Sequence, residues 1–358
     1  MLKKFIIKKA NIKDLKKLNQ FHNNYYKTNR TIKQFLWLFR KTSKFYDFYY
    51  ALNGKKIVGT LGFIKFNFVY NKKIYKVIKP EDLLISPNAR KKNIFEQINK
   101  IYEKTILNLK GISININAVA KIFQRANYGT YFGDRKIFIK YHKINSLVDL
   151  MNKKRIPRLF SYFFSYLVIS YIRIFGSIKK KQIKKNLTYI DFKKSPKWSN
   201  NLNKKFLRHW NFFTTDRTKD FLQWRVFNNP YLKEKFTAFY FNKIPVGYVI
   251  YNINMKNLYV VDLVVVPINN TIGTKMILNE MLLFLDDHCI NRRLNYCKFE
   301  LYLNSNLNNL LKKSLSKFGY IGKKIDTNFS FKVFNKSVSK KVITQSYITN
   351  INKSGKIY

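Results

Sequence analysis

The sequence predicts an α/β protein of two tandem domains joined by an apolar helical linker. Three observations carry this reading. Apolar segments of strand length alternate with segments of helical spacing along most of the chain. One ordered set of features occurs twice. At 358 residues and 46% apolar content, the chain is long enough for two separate cores.

The elements follow in order. Residues 5–8 read as a short strand. Asn11 offers an N-cap with Asp14 in the first turn, and Leu15, Leu18 and Phe21 continue at helical spacing. Residues 31–39 read as a second helix. An aromatic strand at 45–52, the Asn53-Gly54 turn signal and a return strand at 57–64 make a hairpin. A further aromatic strand, a turn at Tyr70-Asn71-Lys72-Lys73 and a strand at 74–78 follow. After Pro80, residues 83–85 form a short apolar strand ending at Pro87. The basic loop Arg90-Lys91-Lys92-Asn93 leads into a helix over 94–109. A strand follows at 112–116, then a helix capped by Asn117 and ending near Asn127, and 128–141 close as strand and turn.

Residues 151–198 differ in character. A nearly continuous apolar and aromatic run over 159–177 is interrupted by Arg173. Lys153, Lys154, Arg155 and Arg158 precede it, and Lys179, Lys180 and Lys181 follow. Three readings stay open: a helix packed between domains, a helix lying on a membrane surface, and a spanning helix. The cationic flanks suit an anionic lipid surface in either membrane case.

The second half repeats the alternation. Helices are expected at 206–210 and 220–227, a hairpin at 236–241 and 246–253, and a buried strand at 258–266. A helix at 275–287, a strand at 297–303, a helix at 307–317 and a strand at 329–334 complete it. The tail from residue 337 is rich in Lys and Ser and reads as flexible.

The repeat is specific in its spacing. Asn53-Gly-Lys-Lys-Ile-Val-Gly59 has a counterpart in Asn242-Lys-Ile-Pro-Val-Gly247. Asp82 to Pro87 matches Asp262 to Pro267, each followed by a loop and a helix. A strand, an Asn (Asn117, Asn304), a helix and an aromatic end follow in both halves. The expected organisation is therefore a first domain at 1–145, a basic and apolar linker at 146–199, a second domain at 200–336 and a flexible tail at 337–358.

The charge is extreme: 70 Lys and Arg against 18 Asp and Glu give a net charge of +52. That balance favours anionic partners and does not choose among nucleotides, coenzymes, nucleic acid or acidic lipid. The bias toward Lys, Asn, Ile, Tyr and Phe also fits an AT-rich coding sequence. Two cysteines, Cys289 and Cys297, exclude a disulfide scaffold and a Cys-only zinc cluster, and four scattered histidines argue against a multi-His metal site. The N-terminus lacks a signal-peptide cleavage pattern, so a cytoplasmic location is expected, with association at the inner face of a membrane as an option.

The strand ending at a proline, the basic loop and the following helix resemble the GNAT-type N-acetyltransferase superfamily, over roughly 1–145 and 200–335. The resemblance implies a mixed, largely antiparallel sheet flanked by helices in each half. It also implies acetyl-CoA as co-substrate and no metal. In the superfamily an Arg/Gln-x-x-Gly-x-Gly/Ala loop holds the coenzyme pyrophosphate on free amides at the positive end of a helix. The matching residues are Arg90, Lys91, Lys92, Asn93, Ile94 and Phe95, with Asn93 in the glycine position, where Asn is the next-best residue for unusual backbone angles. The second loop, Asn270-Thr271-Ile272-Gly273-Thr274-Lys275, keeps Gly273 and lacks the Arg, so the first half is the expected coenzyme site.

The same resemblance implies the remaining site residues. A backbone amide near Leu84 or Ile85 would polarise the thioester carbonyl. Asn117-x-x-Ala120-x-x-Phe123-x-x-x-Asn127-Tyr128 resembles the segment that carries the superfamily's acid Tyr. Phe123 occupies that position here and cannot donate a proton, so Tyr128 is the substitute candidate, with Tyr131 nearby. Asn117 is a coenzyme contact by resemblance and an ordinary N-cap by its residue type. Glu81 and Asp82 are the candidate bases for the acceptor amine, although Asp82 could instead orient a loop. Trp224-Arg225-x-x-Asn228-Asn229-Pro230 resembles an element of tandem acetyltransferase-like proteins of surface-polysaccharide clusters. It points to an amino-sugar acceptor; its structural reading is a packed Trp with Arg225 in an ion pair.

The leading expectation is thus an N-acyltransferase moving an acetyl group from acetyl-CoA to a primary amine of a small molecule or amino sugar. The alternatives are a non-catalytic membrane-associated protein, with contact through 159–177, and a nucleic-acid-binding protein. Against the latter, no helix-turn-helix, zinc or RNA-binding signature is present, and the lysines are spread along the chain.

Overall fold

A computed structural model describes residues 5–39, 46–90, 93–116, 131–132, 135–182, 187–268, 273–302, 305–325, 329–333, 338–339, 342–343 and 346–352. The chain forms two compact units.

The first unit opens with β1 (Ile6–Lys9), α1 (Leu15–Tyr26) and α2 (Ile32–Phe39). Asn11 and Asp14 make a reciprocal capping box ahead of α1, as their spacing implies. Three long antiparallel strands follow: β2 (Tyr46–Asn53), β3 (Lys56–Tyr70) and β4 (Lys73–Ile85). Gly54, at φ 59°, takes the left-handed position of the β2–β3 turn. Strand β4 runs unbroken through Pro80, which lies just past its last pairing with the next strand, where the ladder on that side has ended. Helix α3 (Ile94–Asn108) and β5 (Ile112–Ile116) complete the repeat unit. Residues Ala51, Leu61, Phe63 and Ile78 of the sheet pack against Ile94, Ile98, Tyr102 and Ile106 of α3. Gly59 permits that approach, because a Cβ there would lie 3.1 Å from the Ile94 side chain.

After β6 (Tyr131–Phe132) come β7 (Arg135–Tyr141), α4 (Ile144–Asn152), α5 (Arg158–Gln182), β8 (Thr188–Phe192) and α6 (Ser199–Trp210). Then come β9 (Thr214–Thr215), α7 (Lys219–Leu222), β10 (Lys235–Phe241), β11 (Ile244–Asn254) and β12 (Asn257–Val265). The last elements are α8 (Thr274–Asn291), β13 (Tyr296–Tyr302), α9 (Asn306–Lys317), β14 (Ile321–Ile325) and β15 (Phe329–Val333).

The two sheets have the orders β1-β2-β3-β4-β5-β15-β6, with β9 on β3, and β14-β7-β13-β12-β11-β10-β8. Both are antiparallel except for one parallel pair each, β4–β5 and β12–β13. The units differ from the sequential division at 145 and 200. Strand β7 pairs with β13 from Tyr141↔Tyr296 to Arg135↔Tyr302, so it belongs to the second unit. Strand β15 pairs with β5 from Phe329↔Ile116 to Val333↔Ile112, so it belongs to the first. The first half of the chain thus lends β7 to the sheet of the second, and the second half lends β9 and β15 to the sheet of the first, a choice made by long-range register that local sequence does not carry.

The expectation of a flexible tail is also corrected. Residues 346–351 are buried, and Tyr347 is among the largest fully buried side chains. Among the described residues no helix is long and apolar enough to cross a membrane.

Candidate active site

The site is built on the divergence of a parallel strand pair. Strands β4 and β5 share only the pairs Val77↔Ile112 and Ile78↔Ser113. Beyond Ile78, β4 continues seven residues with only β3 beside it among the described strands. Within that stretch β4 carries a bulge: Thr60↔Leu84 is followed by Gly62↔Glu81, so two steps of β3 span three of β4. Asp82 sits in the bulge at φ 50°, a left-handed conformation that Asp tolerates better than most residues. The extra residue exchanges the faces of the strand. Leu83 and Ile85 pack on the α3 core, while Asp82 turns to the opposite side.

There the buried Asp82 carboxylate pairs with the buried Arg30 guanidinium, and His22 Nε2 lies 3.6 Å from Asp82 Oδ1. Arg30 is held in turn by Asn19 Oδ1, which accepts from its Nε at 2.7 Å. Glu81 is ion-paired with Lys79 on the same strand. The Ser86 N–H donates to Val58 O at 2.9 Å. Since successive strand amides point to alternate edges, the N–H of Ile85 faces the edge that β5 has left.

The chain then turns through Pro87–Ala89 and Arg90 to Asn93, at φ 53° and ψ 20°. Asn93 makes no side-chain cap hydrogen bond to α3. A groove of about 310 Å³ opens here, lined by Leu83 and Ile85 of β4, Ala89, Arg90 and Asn93 of the loop, Ile94, Phe95 and Glu96 of α3, and Tyr25 of α1. Arg90 Nη2 donates to Tyr25 Oη at 2.7 Å, which aims an exposed guanidinium along the groove. Glu96 in the first turn complements the helix dipole and opposes part of the positive field.

The second unit repeats the scaffold with a different outcome. Strands β12 and β13 share only three pairs, ending at Tyr259↔Lys298. A bulge beside Val261 precedes Asp262. Asp262 accepts from Arg217 Nε at 2.8 Å and Nη2 at 3.1 Å, from Thr349 Oγ1 at 2.7 Å and from Tyr248 Oη at 3.3 Å. Burial, and then the Asp262 charge, push the Tyr248 phenol well above its ordinary pKa. The exposed edge of β12 is not open. Trp210 Nε1 donates to Val265 O at 2.9 Å, Tyr347 Oη to Leu263 O at 2.6 Å and Asn350 Nδ2 to Val260 O at 3.0 Å. The C-terminal segment therefore occupies the cleft between the diverging strands β12 and β13.

No protein-family model matches the chain, and no curated protein matches it in sequence. Solved structures do match. A conserved protein of Enterococcus faecalis, described as a probable N-acyltransferase, superposes with a TM-score of 0.64 at 12% identity, over 93% of this chain and 73% of that one. A tandem GNAT protein from the clavulanic acid biosynthesis pathway gives 0.52 at 9% identity, over 92% of this chain and 99% of that one. The chain has the tandem GNAT fold. N-myristoyltransferase of Saccharomyces cerevisiae, solved with myristoyl-CoA bound, gives 0.54 at 11% identity, over 94% and 83%.

Within the first GNAT unit the structure brings Ile85, Arg90, Asn93, Ile94 and Phe95 to one groove. Leu84 is buried and does not line it. Lys91, Lys92, Asn117 and Tyr128 lie outside the described residues, as do Phe123 and Asn270, Thr271 and Ile272 of the second loop. Asp82, the candidate base that could instead orient a loop, is engaged in the buried ion pair with Arg30. Trp224 and Arg225 are buried. Arg225 Nε donates to Ile351 O at 3.0 Å, and its Nη1 lies 3.2 Å from Glu234 Oε1, which is the structural reading of that motif.

Sequence reasoning missed Tyr25, Arg30, His22 and Glu96. A signal for Arg30 was present: Arg30-Thr31 and Arg217-Thr218 each precede a helix carrying Phe-Leu, at matching places in the repeat. Tyr25 had none, since it reaches Arg90 across 65 residues. Among the described residues no group of three His, Cys, Asp or Glu could hold a metal ion.

Proposed function

We propose that the chain is an acyl-CoA-dependent N-acyltransferase whose first GNAT unit holds the coenzyme. The observation that carries this is the groove where the end of β4, the Arg90 guanidinium and the N-terminus of α3 converge. The residues fit a pyrophosphate. Arg90 supplies a charge-assisted donor, Asn93 holds the backbone in the left-handed turn that precedes the helix, and α3 contributes its positive end. The plugged cleft of the second unit supports assigning the coenzyme to the first.

Acyl-CoA supplies an acyl group activated as a thioester. The Ile85 N–H would donate to the thioester carbonyl oxygen as negative charge develops there. Glu81, ion-paired with Lys79, is the proposed acceptor of the amine proton, directly or through one water. Tyr128 remains the proposed donor to the departing thiolate. Acyl transfer of this kind rests mainly on positioning, which the rigid β4 bulge and loop provide. The acyl group we propose is acetyl, and the acceptor a primary amine of a small molecule, amino sugars included. With Arg225 committed to Glu234 and Ile351, the amino-sugar option rests on the sequence resemblance alone.

Calorimetric titration with acetyl-CoA at moderate salt tests the reading. Saturable one-site binding is expected, about tenfold weaker in Arg90→Ala. Glu81→Gln should retain binding and lose roughly a hundredfold in turnover with an amine acceptor. Binding abolished by salt and indifferent to Arg90 overturns the assignment.

A further inference from the structure

Helix α5 has its polarity inverted. Its inward stripe is Ser161, Ser165, Ile169 and Ile172, all buried. Ser161 Oγ donates to Ile156 O at 3.2 Å, and Ser165 Oγ donates to Met151 Sδ at 3.7 Å, so the small polar residues are satisfied against the preceding segment. The outward face carries nine large apolar side chains, from Tyr162 at 40% exposed to Leu159 at 80%, with Phe163, Tyr166, Tyr171 and Ile174 between those values. A water-facing helix surface of this kind is the reverse of ordinary amphipathic packing, and a continuous apolar patch marks a contact surface.

The charges around the patch say what covers it. Lys153, Lys154, Arg155 and Arg158 are exposed at its N-terminal end, and Arg158 lies over the Tyr162 ring at 5.9 Å. The sequence places Lys179, Lys180 and Lys181 in the last turns of the same helix. Beside the patch, Arg173, Lys143 and Arg293 line a pocket of about 520 Å³ with Ile172, Ile290 and Leu294. The arrangement is an apolar strip with aromatic side chains, bordered by cations at its N-terminal end and along one side. A second copy of a chain with a net charge of +52 would bring like charges together at every border. An anionic bilayer would meet each of them with a phosphate.

We infer that α5 lies in the plane of an anionic lipid surface, its outward side chains sunk to the headgroup–acyl boundary and its flanking cations on lipid phosphates. This inference stands on α5 and is independent of the acyltransferase reading.

The test is flotation of the full chain with vesicles of phosphatidylglycerol and phosphatidylcholine, against phosphatidylcholine alone. The wild type should float with the anionic vesicles and remain bound at roughly 0.5 M salt, where attraction between surface charges is largely screened. A triple variant, Phe160→Ser, Phe163→Ser and Tyr166→Ser, keeps every charge. Its side chains are exposed, so circular dichroism should be unchanged. It should lose at least about tenfold in partitioning. Lys153→Glu with Lys154→Glu and Arg155→Glu should abolish the preference for anionic lipid. Equal binding of the triple variant and wild type overturns the inference, because charge alone would then suffice. So does light scattering that shows a lipid-free wild-type dimer and a monomeric triple variant, because a second copy would then be the occupant.

Discussion

Arg30 and Asp82, 52 residues apart, form a buried ion pair across the bulge of β4, and Arg217 and Asp262, 45 residues apart, repeat it beside the bulge of β12. In each unit the acid is the first residue of the repeated Asp-x4-Pro segment and the base leads the Arg-Thr step into a helix. The pair ties the helical layer to the strand at the place where that strand diverges from its parallel neighbour. Arg217 illustrates the electrostatics. Burial lowers its pKa, and the Asp262 charge with its hydrogen bonds more than offsets this, so the guanidinium stays charged.

Breaking such a pair leaves an uncompensated buried charge. Arg30→Ala should lower stability by about 3–5 kcal/mol in urea denaturation, and Arg30→Met with Asp82→Leu should recover most of that loss. A single variant as stable as wild type would show that water reaches the pair.

The C-terminal segment is structural. Tyr347→Phe removes one hydroxyl and leaves the buried Leu263 carbonyl without that donor, so a loss of about 1–3 kcal/mol is expected. Tyr347→Ala adds a cavity and should cost about 3–5 kcal/mol. Thermal melts of the two variants beside wild type measure both.

Backbone strain at Asn93 gives an opposite pair of effects. Asn93→Gly relieves the left-handed conformation and should be neutral or slightly stabilising. Asn93→Val should destabilise by about 1–2 kcal/mol and weaken acetyl-CoA binding, read by denaturation and calorimetry.

His288 predicts an acid sensitivity in the second unit. Burial first, then the charges of Arg292 and Lys235, lower its pKa from 6.5 to about 4. It packs edge-on to Tyr251, at 5.2 Å between ring centroids. Above pH 6.5 the ring is neutral in folded and unfolded chains alike, and this position is without penalty. As pH falls from 6.5 toward 4 the unfolded chain takes a proton that the folded chain refuses, so stability is lost in that window. Urea midpoints across it should fall less steeply for His288→Gln than for wild type. Parallel curves would assign the acid sensitivity to other groups.

Much of the scaffold was legible because it is local. The capping box at Asn11, the Asn53-Gly54 turn and the Asp-to-Pro spacings are written in neighbouring residues, and the structure realises each of them. The loop from Arg90 to Phe95 was legible by its charge and by Asn in a glycine position. The groove beside it was not, since Tyr25 arrives from a helix far away in sequence. Separating the surroundings of Glu81 and Asp82 also needed the fold. The two are adjacent, and only the bulge sends one to Lys79 and the other to Arg30.

Sequence by itself determined the α/β alternation, the repeated unit and the cationic borders of α5, because each depends on residue type and short-range periodicity. Tertiary structure alone decided three things. It gave β7 to one sheet and β15 to the other. It drew Tyr347 and Asn350 into the cleft of β12. It turned the serines of α5 inward and its aromatics outward. Register, edge pairing and burial are settled by competition among distant segments for the same strand edges and the same core, and no local pattern encodes the winner.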